Sequence, residues 1–148
     1  MSFLKQIHHI AVICSDYELS KQFYTTILQL EVIKEIYRED RNSYKLDLSL
    51  NGQYILELFS FKQPPKRPSQ PEATGLRHLA FTVDSVDISH RYFCELGVRV
   101  EDIRLDEFTG KKFFFLFDPD NLPIEIYQSW RITLFLSGRI IKNLRYSL

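Results

Sequence analysis

A chain of 148 residues, 45% hydrophobic and 26% charged with a formal net charge of zero, is long enough for one compact domain with a real core. The charge balance excludes the electrostatic footprint of a nucleic-acid binder, and no apolar run approaches the length of a membrane span. Cys14 and Cys94 are too few for a disulfide framework and lack metal-type spacing, so both are expected as reduced thiols.

The N-terminal segment MSFLKQIHHIAVI lacks the long apolar stretch and small-residue cleavage site of a signal peptide, and residence in the cytoplasm is the expectation. Within it, IHHIAVIC reads as a short buried strand. Ser15-Asp16-Tyr17-Glu18 has the form of a capping box before an apolar-periodic run of Leu19, Phe23, Ile27 and Leu30, which predicts a helix. Strands are expected at Val32–Tyr37, Ser43–Leu50 and Tyr54–Phe61, with Asn51-Gly52 as the hairpin turn between the last two. Lys62–Gly75 then holds four of the six prolines and reads as a stiff, extended linker. LRHLAFTVDS opens a second strand. Ser85-Val86-Asp87 starts a second helix, with Ile88, Tyr92, Phe93 and Leu96 as its stripe and Gly97 as its C-cap glycine. Further strands are expected at Val98–Leu105, Lys112–Phe117 and Pro123–Gln128, the last two joined by the turn Asp118-Pro119-Asp120-Asn121. Residues 129–148 form a tail, read either as a helix docking on the domain or on a partner chain, or as an extension without function.

The two halves match. At an offset of 69 positions His9 meets His78 and Ala11 meets Ala80; at 68, Glu57 meets Glu125. This predicts an α+β fold of two tandem βαβββ modules, about residues 5–61 and 76–128, joined by linker 62–75. Half of such a chain, about 60 residues, would be marginal alone, so residues 1–128 are expected to fold as a single domain.

The repeat singles out four residues. Strand alternation puts Ile7, His9, Ala11 and Ile13 on one face and His8, Ile10, Val12 and Cys14 on the other. The offset equates His9 with His78 and His8 with Arg77, and so selects His9. Glu57 and Glu125 each stand within an apolar strand, where a carboxylate is costly to bury unless paired or bound to a cation. His9, Glu57, His78 and Glu125 are therefore predicted to hold one divalent metal ion (Ni, Zn, Co, Mn or Fe), with positions left open for substrate or water. Singly, a strand His is more often a satisfied core or edge residue and a strand Glu more often faces solvent. His8 and His90 fall outside the pattern. Lys45, Asp47 and Ser49 form a polar stripe, preceded by Arg41. Lys45 and Arg41 are candidates for binding an anionic substrate group, the alternative being a solvated edge.

HHIAVICSD, YILELF, GLRHLAFTVDS and DPDNLPIEIY together resemble the vicinal oxygen chelate superfamily, which includes glyoxalase I, fosfomycin-resistance enzymes, methylmalonyl-CoA epimerase and extradiol dioxygenases. The likeness covers about residues 5–128 and is nearest to the small glyoxalase-like bacterial proteins whose substrate is generally unassigned. It implies two βαβββ modules whose curved mixed sheets form a metal-holding cleft. It also implies His9, Glu57, His78 and Glu125 as ligands, a set most similar to that of glyoxalase I. Where glyoxalase I has an Arg and an Asn that contact glutathione, this chain has Ile13 and Phe61, so the usual glutathione setting is missing.

The resemblance implies a glyoxalase-like lyase or isomerase, akin to lactoylglutathione lyase but with another small substrate. It would polarise vicinal oxygens and move a proton through an enediolate, with Glu125 as first choice of base and Glu57 as second. A homodimer is expected by the same likeness, since many relatives dimerise and some build each metal site from two chains. The competing readings are an Fe(II)-dependent oxygenase and a non-catalytic small-molecule binding or resistance protein. The second Glu argues against the former, and the intact ligand set against the latter.

Overall fold

The computed structural model describes residues 2–129 and two short strands beyond them, Phe135–Leu136 and Arg139–Ile140. The first module runs β1 (Ile10–Cys14), α1 (Tyr17–Gln22, extended by a π-helical turn over Phe23–Ile27), β2 (Glu31–Arg38), β3 (Ser43–Leu50) and β4 (Gln53–Ser60). The second runs β5 (Leu79–Val83), α2 (Val86–Glu95), β6 (Arg104–Leu105), β7 (Lys112–Phe117) and β8 (Pro123–Gln128). Each forms one four-stranded mixed sheet, ordered β1-β4-β3-β2 and β5-β8-β7-β6, with β1 parallel to β4 and β5 parallel to β8. This is the glyoxalase-like α+β architecture of two βαβββ modules.

Alternation decides which face is covered. Leu46, Leu48, Leu56 and Leu58 are at most 1% exposed, as are Phe114, Leu116 and Ile124 across the second sheet. These side chains join Val12, Cys14, Phe23, Tyr24 and Phe93 in one core. Each fully buried Leu contributes about 1.5–3 kcal/mol. The residues between them point to the opposite, open faces, which carry His9, Glu57, His78 and Glu125. Burial also pushes the Cys14 thiol up to about 11, so it stays protonated, and both cysteines are free thiols.

The local signals hold with some changes. Asn51 and Gly52 both take positive φ, 53° and 75°, as a tight hairpin turn requires. Asp16, not Ser15, caps α1, accepting from the Leu19 N–H at 3.0 Å. Ser15 instead bonds the Asp120 carboxylate of the second module through its N–H, at 2.9 Å, and its hydroxyl. Leu19 and Ile88, expected in helix stripes, are more than half exposed; Tyr17, Ser20 and Tyr24, and on α2 Val86, turn inward instead.

The strand expected over Val98–Leu105 is broken. Val100 lies opposite Leu116 and Arg104 opposite Phe113, four residues against three, so one extra residue bulges from the ladder. β2 shifts register at the matching place, between Val32 and Lys34.

Among the described residues no helix is long and apolar enough to cross a membrane. The tail contributes an antiparallel pair, β9 (Phe135–Leu136) and β10 (Arg139–Ile140); the rest of residues 130–148 lies outside the described residues.

Candidate functional site

His9 and His78 each stand one residue before a strand, on the entry to β1 and β5. Parallel pairing sets Ala11 beside Glu57 and Ala80 beside Glu125, identical registers in the two modules. The consequence is the same contact twice: His9 Nε2 lies 3.2 Å from Glu57 Oε2, and His78 Nε2 lies 3.2 Å from Glu125 Oε2. Small Ala11 and Ala80, both exposed, leave the space beside each pair open. The four residues form two pairs on two sheets. Among the described residues no three His, Cys, Asp or Glu side chains come together in one potential metal cluster.

The donor chemistry of the pairs suits a divalent ion of the first transition row, being imidazole nitrogen and carboxylate oxygen. His78 Nδ1, the ring nitrogen that does not face Glu125, is buried and has no hydrogen-bond partner among the described residues, so it adds nothing to the donor set.

The surroundings of the two pairs differ. In the first module, Glu57 Oε1 takes the Lys45 ammonium at 2.7 Å and the Tyr54 hydroxyl at 2.5 Å. Asp47 receives both of the same donors, Lys45 at 2.5 Å and Tyr54 at 3.0 Å. Partial burial pushes the Glu57 carboxyl up, but the bonds from Lys45 and Tyr54, with His9 nearby, outweigh it and hold the group below the usual range. Partial burial pulls Lys45 down; its bonds to Asp47 and Glu57 prevail and hold it above its ordinary value. His9 stacks on the Tyr54 ring, with centroids 5.2 Å apart, and its Nδ1 lies 2.7 Å from His8 Nδ1.

In the second module the equivalent wall is aromatic. Phe115 opposes Glu125 as Asp47 opposes Glu57, and Phe113 opposes Tyr127 as Lys45 opposes Phe59. The Phe115 ring stands edge-on to His78 at 5.4 Å. Glu125 meets His78 through its Oε2, and the positions matching Lys45 and Asp47 are Phe113 and Phe115. Beside His78 opens a cavity of about 620 Å³, whose lining includes Phe115, Phe117 and four arginines.

Of the two anion-binding candidates, Lys45 lies in the site and is engaged with two carboxylates. Arg41 ends the 3-10 turn between β2 and β3, is exposed, and approaches Asp40 at 3.9 Å. His90 bonds the Glu101 carbonyl at 3.0 Å and packs edge-on to Phe114. Tyr54 escaped the sequence reading because its counterpart by the Glu offset, Leu122, is apolar and the repeat gives no hint of it. Ile13 is exposed on the open face of β1, so no cation stands at that position of the site.

The chain matches the family described as the Glyoxalase/Bleomycin resistance protein/Dioxygenase superfamily over residues 6–126. It is 62% identical to the uncharacterized protein YwkD of Bacillus subtilis (strain 168) over 125 residues, 84% of this chain and 98% of that protein. It is 55% identical to the uncharacterized protein YaeR of Escherichia coli (strain K12), covering 84% of this chain and 97% of that one. A solved glyoxalase family protein from Enterococcus faecalis shares 48% identity at a TM-score of 0.79, covering 85% of this chain and 99% of that one.

Proposed function

We propose that this chain, which belongs to the Glyoxalase/Bleomycin resistance protein/Dioxygenase superfamily, is a divalent-metal-dependent lyase or isomerase acting on a small substrate with neighbouring oxygens. Members of that superfamily commonly bind a divalent metal, bind small molecules and often form dimers. The observation that carries the reading is the repeated pair: the same His–Glu contact, 3.2 Å in each module, at the same register of the same strands.

His9, Glu57, His78 and Glu125 would hold the metal. Since the chain presents its donors as two separate pairs, we place each complete site between two copies in a homodimer. The pair on the first module of one copy would face the pair on the second module of the other. A two-fold axis then makes two equal sites from one kind of contact.

A divalent ion held there supplies Lewis acidity, which lowers the pKa of a C–H next to the oxygens it polarises. The protein's own side chains divide the rest. Lys45 and Tyr54 pin Glu57 and keep it ionised, which suits a fixed anionic donor and weakens it as a base. Glu125 lacks that Lys–Tyr clamp, since Phe113 and Leu122 stand at the positions of Lys45 and Tyr54, and this suits it to take the proton and return it. Phe115, opposite Glu125 in register, supplies an aromatic wall beside that transfer.

Loading purified, chelator-stripped protein with Mn, Ni, Zn, Co or Fe(II) tests the reading. The expected result is one divalent ion per chain, lost in the His78→Ala variant. Protein that binds no divalent metal under any loading condition would remove the lyase or isomerase reading and favour a binding module.

A further inference from the structure

The cavity beside His78 holds a charge pattern that the metal set does not explain. Arg67, Arg77, Arg99 and Arg104 line it, against Glu72 and Glu101, so its cations outnumber its carboxylates by two. Three of the four arginines are occupied. Arg67 donates to the Leu76 and Arg77 carbonyls, Arg77 pairs with Glu72 at 2.7 Å, and Arg104 pairs with Glu101 at 2.7 Å. Arg99 has no carboxylate partner among the described residues. It makes one long hydrogen bond, 3.3 Å to Asn121 Oδ1, and lies over the Phe117 ring at 3.7 Å from the centroid.

The bulge after Val100 creates this arrangement. In a regular strand Arg99 and Arg104, five positions apart, would face opposite sides. The extra residue restores Arg104 to the side of Arg99, where it lies over Phe113 and Phe115 at 5.0 and 5.3 Å. By the strand register the first module has Glu31 and Ile36 at the corresponding places, so the feature belongs to one module alone.

We propose that Arg99, supported by Arg104, binds an oxyanionic group of the substrate, a carboxylate or a phosphoryl or phosphonyl group, while the reacting oxygens lie at His78 and Glu125. The inference rests on the reading of His78 as part of the reaction site. Contact with the Phe117 ring at 3.7 Å and the bond to Asn121 restrain the guanidinium. A planar fork held in place offers two parallel N–H donors to one anion, and a cation without a carboxylate partner has no internal ion pair to give up on binding.

Metal-stripped, full-length protein is titrated with inorganic phosphate, methylphosphonate and acetate, with binding followed by NMR at the arginine Nε–H resonances. Saturable binding of at least one probe is expected, weakened about tenfold or more in Arg99→Gln. Tighter phosphate and methylphosphonate than acetate assigns a phosphoryl-type group; the reverse order assigns a carboxylate. Arg99→Lys, which keeps the charge but not the fork, should fall between wild type and Arg99→Gln. Unchanged binding in Arg99→Gln, absence of saturable binding for all three probes, or loss on Arg41→Gln or Lys45→Gln instead would overturn the proposal. His9→Ala separates the two readings: it should lose metal and keep the anion. Retention of metal in both His9→Ala and His78→Ala would sink the metal reading, while the arginine site would still be judged on Arg99.

Discussion

The phenol of Tyr24, on the first module's helical segment, donates a 2.9 Å hydrogen bond to the Asp118 carboxylate of the second module, and both side chains are buried. The other Asp118 oxygen accepts the Asp120 and Leu122 N–H groups at 2.9 and 2.7 Å. One carboxylate thus shapes the β7–β8 turn and joins it to the other module. Burial pushes its carboxyl above the ordinary value, more than these donors lower it, so a neutral amide should serve nearly as well. Asp118→Ala, which orphans three donors, is expected to cost about 2–3 kcal/mol in urea unfolding. Asp118→Asn should stay within about 1 kcal/mol of wild type. A free-energy loss in Asn as large as in Ala would show that both carboxylate oxygens are needed as acceptors.

The two modules and the four paired residues were legible because they rest on short-range chemistry that the chain states twice. Alternating Leu46, Leu48, Leu56 and Leu58 mark the covered face, and the matching offsets pick out one His and one Glu from each copy. Three features were not legible. Helix α1 buries Tyr24 rather than Leu19, because Asp118 provides a partner that lies 94 positions away. The bulge after Val100 turns Arg104 to the side of Arg99, and strict alternation reads them as opposed. The pairing of Glu57 with Lys45 crosses from β4 to β3, where a register shift between Leu48 and Ser49 breaks the simple hairpin pattern, and Tyr54 joins it from three positions earlier on the same strand as Glu57.

Glu35 offers a pH test. Its carboxylate takes Lys21 at 2.7 and 2.8 Å and the Tyr17 hydroxyl at 2.6 Å, and these bonds hold it below the usual range. A carboxyl lowered on folding adds stability that is present above its unfolded pKa, about 4.3, and is lost as pH falls through the folded value. Both partners are about a third exposed, so solvent screens the pair. Glu35→Gln is therefore expected to cost only about 0.5 kcal/mol at pH 7. That deficit should shrink as pH falls through the folded value and vanish once wild type is also protonated. A deficit that persists in acid would assign the loss to the Tyr17 contact rather than to charge.

Metal binding should divide the histidines. His78→Ala and Glu125→Gln remove donors from the proposed set, and each is expected to weaken binding of Mn or Ni by about tenfold or more, measured by equilibrium dialysis. His90 is held by the Glu101 carbonyl and the Phe114 ring, away from both pairs, so His90→Ala should leave the metal stoichiometry unchanged. Metal loss in His90→Ala with retention in His78→Ala would contradict the assigned set.

Chain mixing tests where the complete site forms. One variant carries His9→Ala and Glu57→Gln, the other His78→Ala and Glu125→Gln, and each alone should hold no metal. If a site joins the first module of one copy to the second module of its partner, a mixed dimer has one site with all four donors and one with none. Unfolding and refolding the two variants together gives about half mixed dimers, and so restores about a quarter of the wild-type metal capacity. A site built within one chain is broken in every copy, and mixing would restore nothing. Recovery should also depend on protein concentration, since dilution below the dimer dissociation constant separates the halves. A mixture that stays metal-free while wild type sediments as a dimer would place both pairs of each site in the same chain.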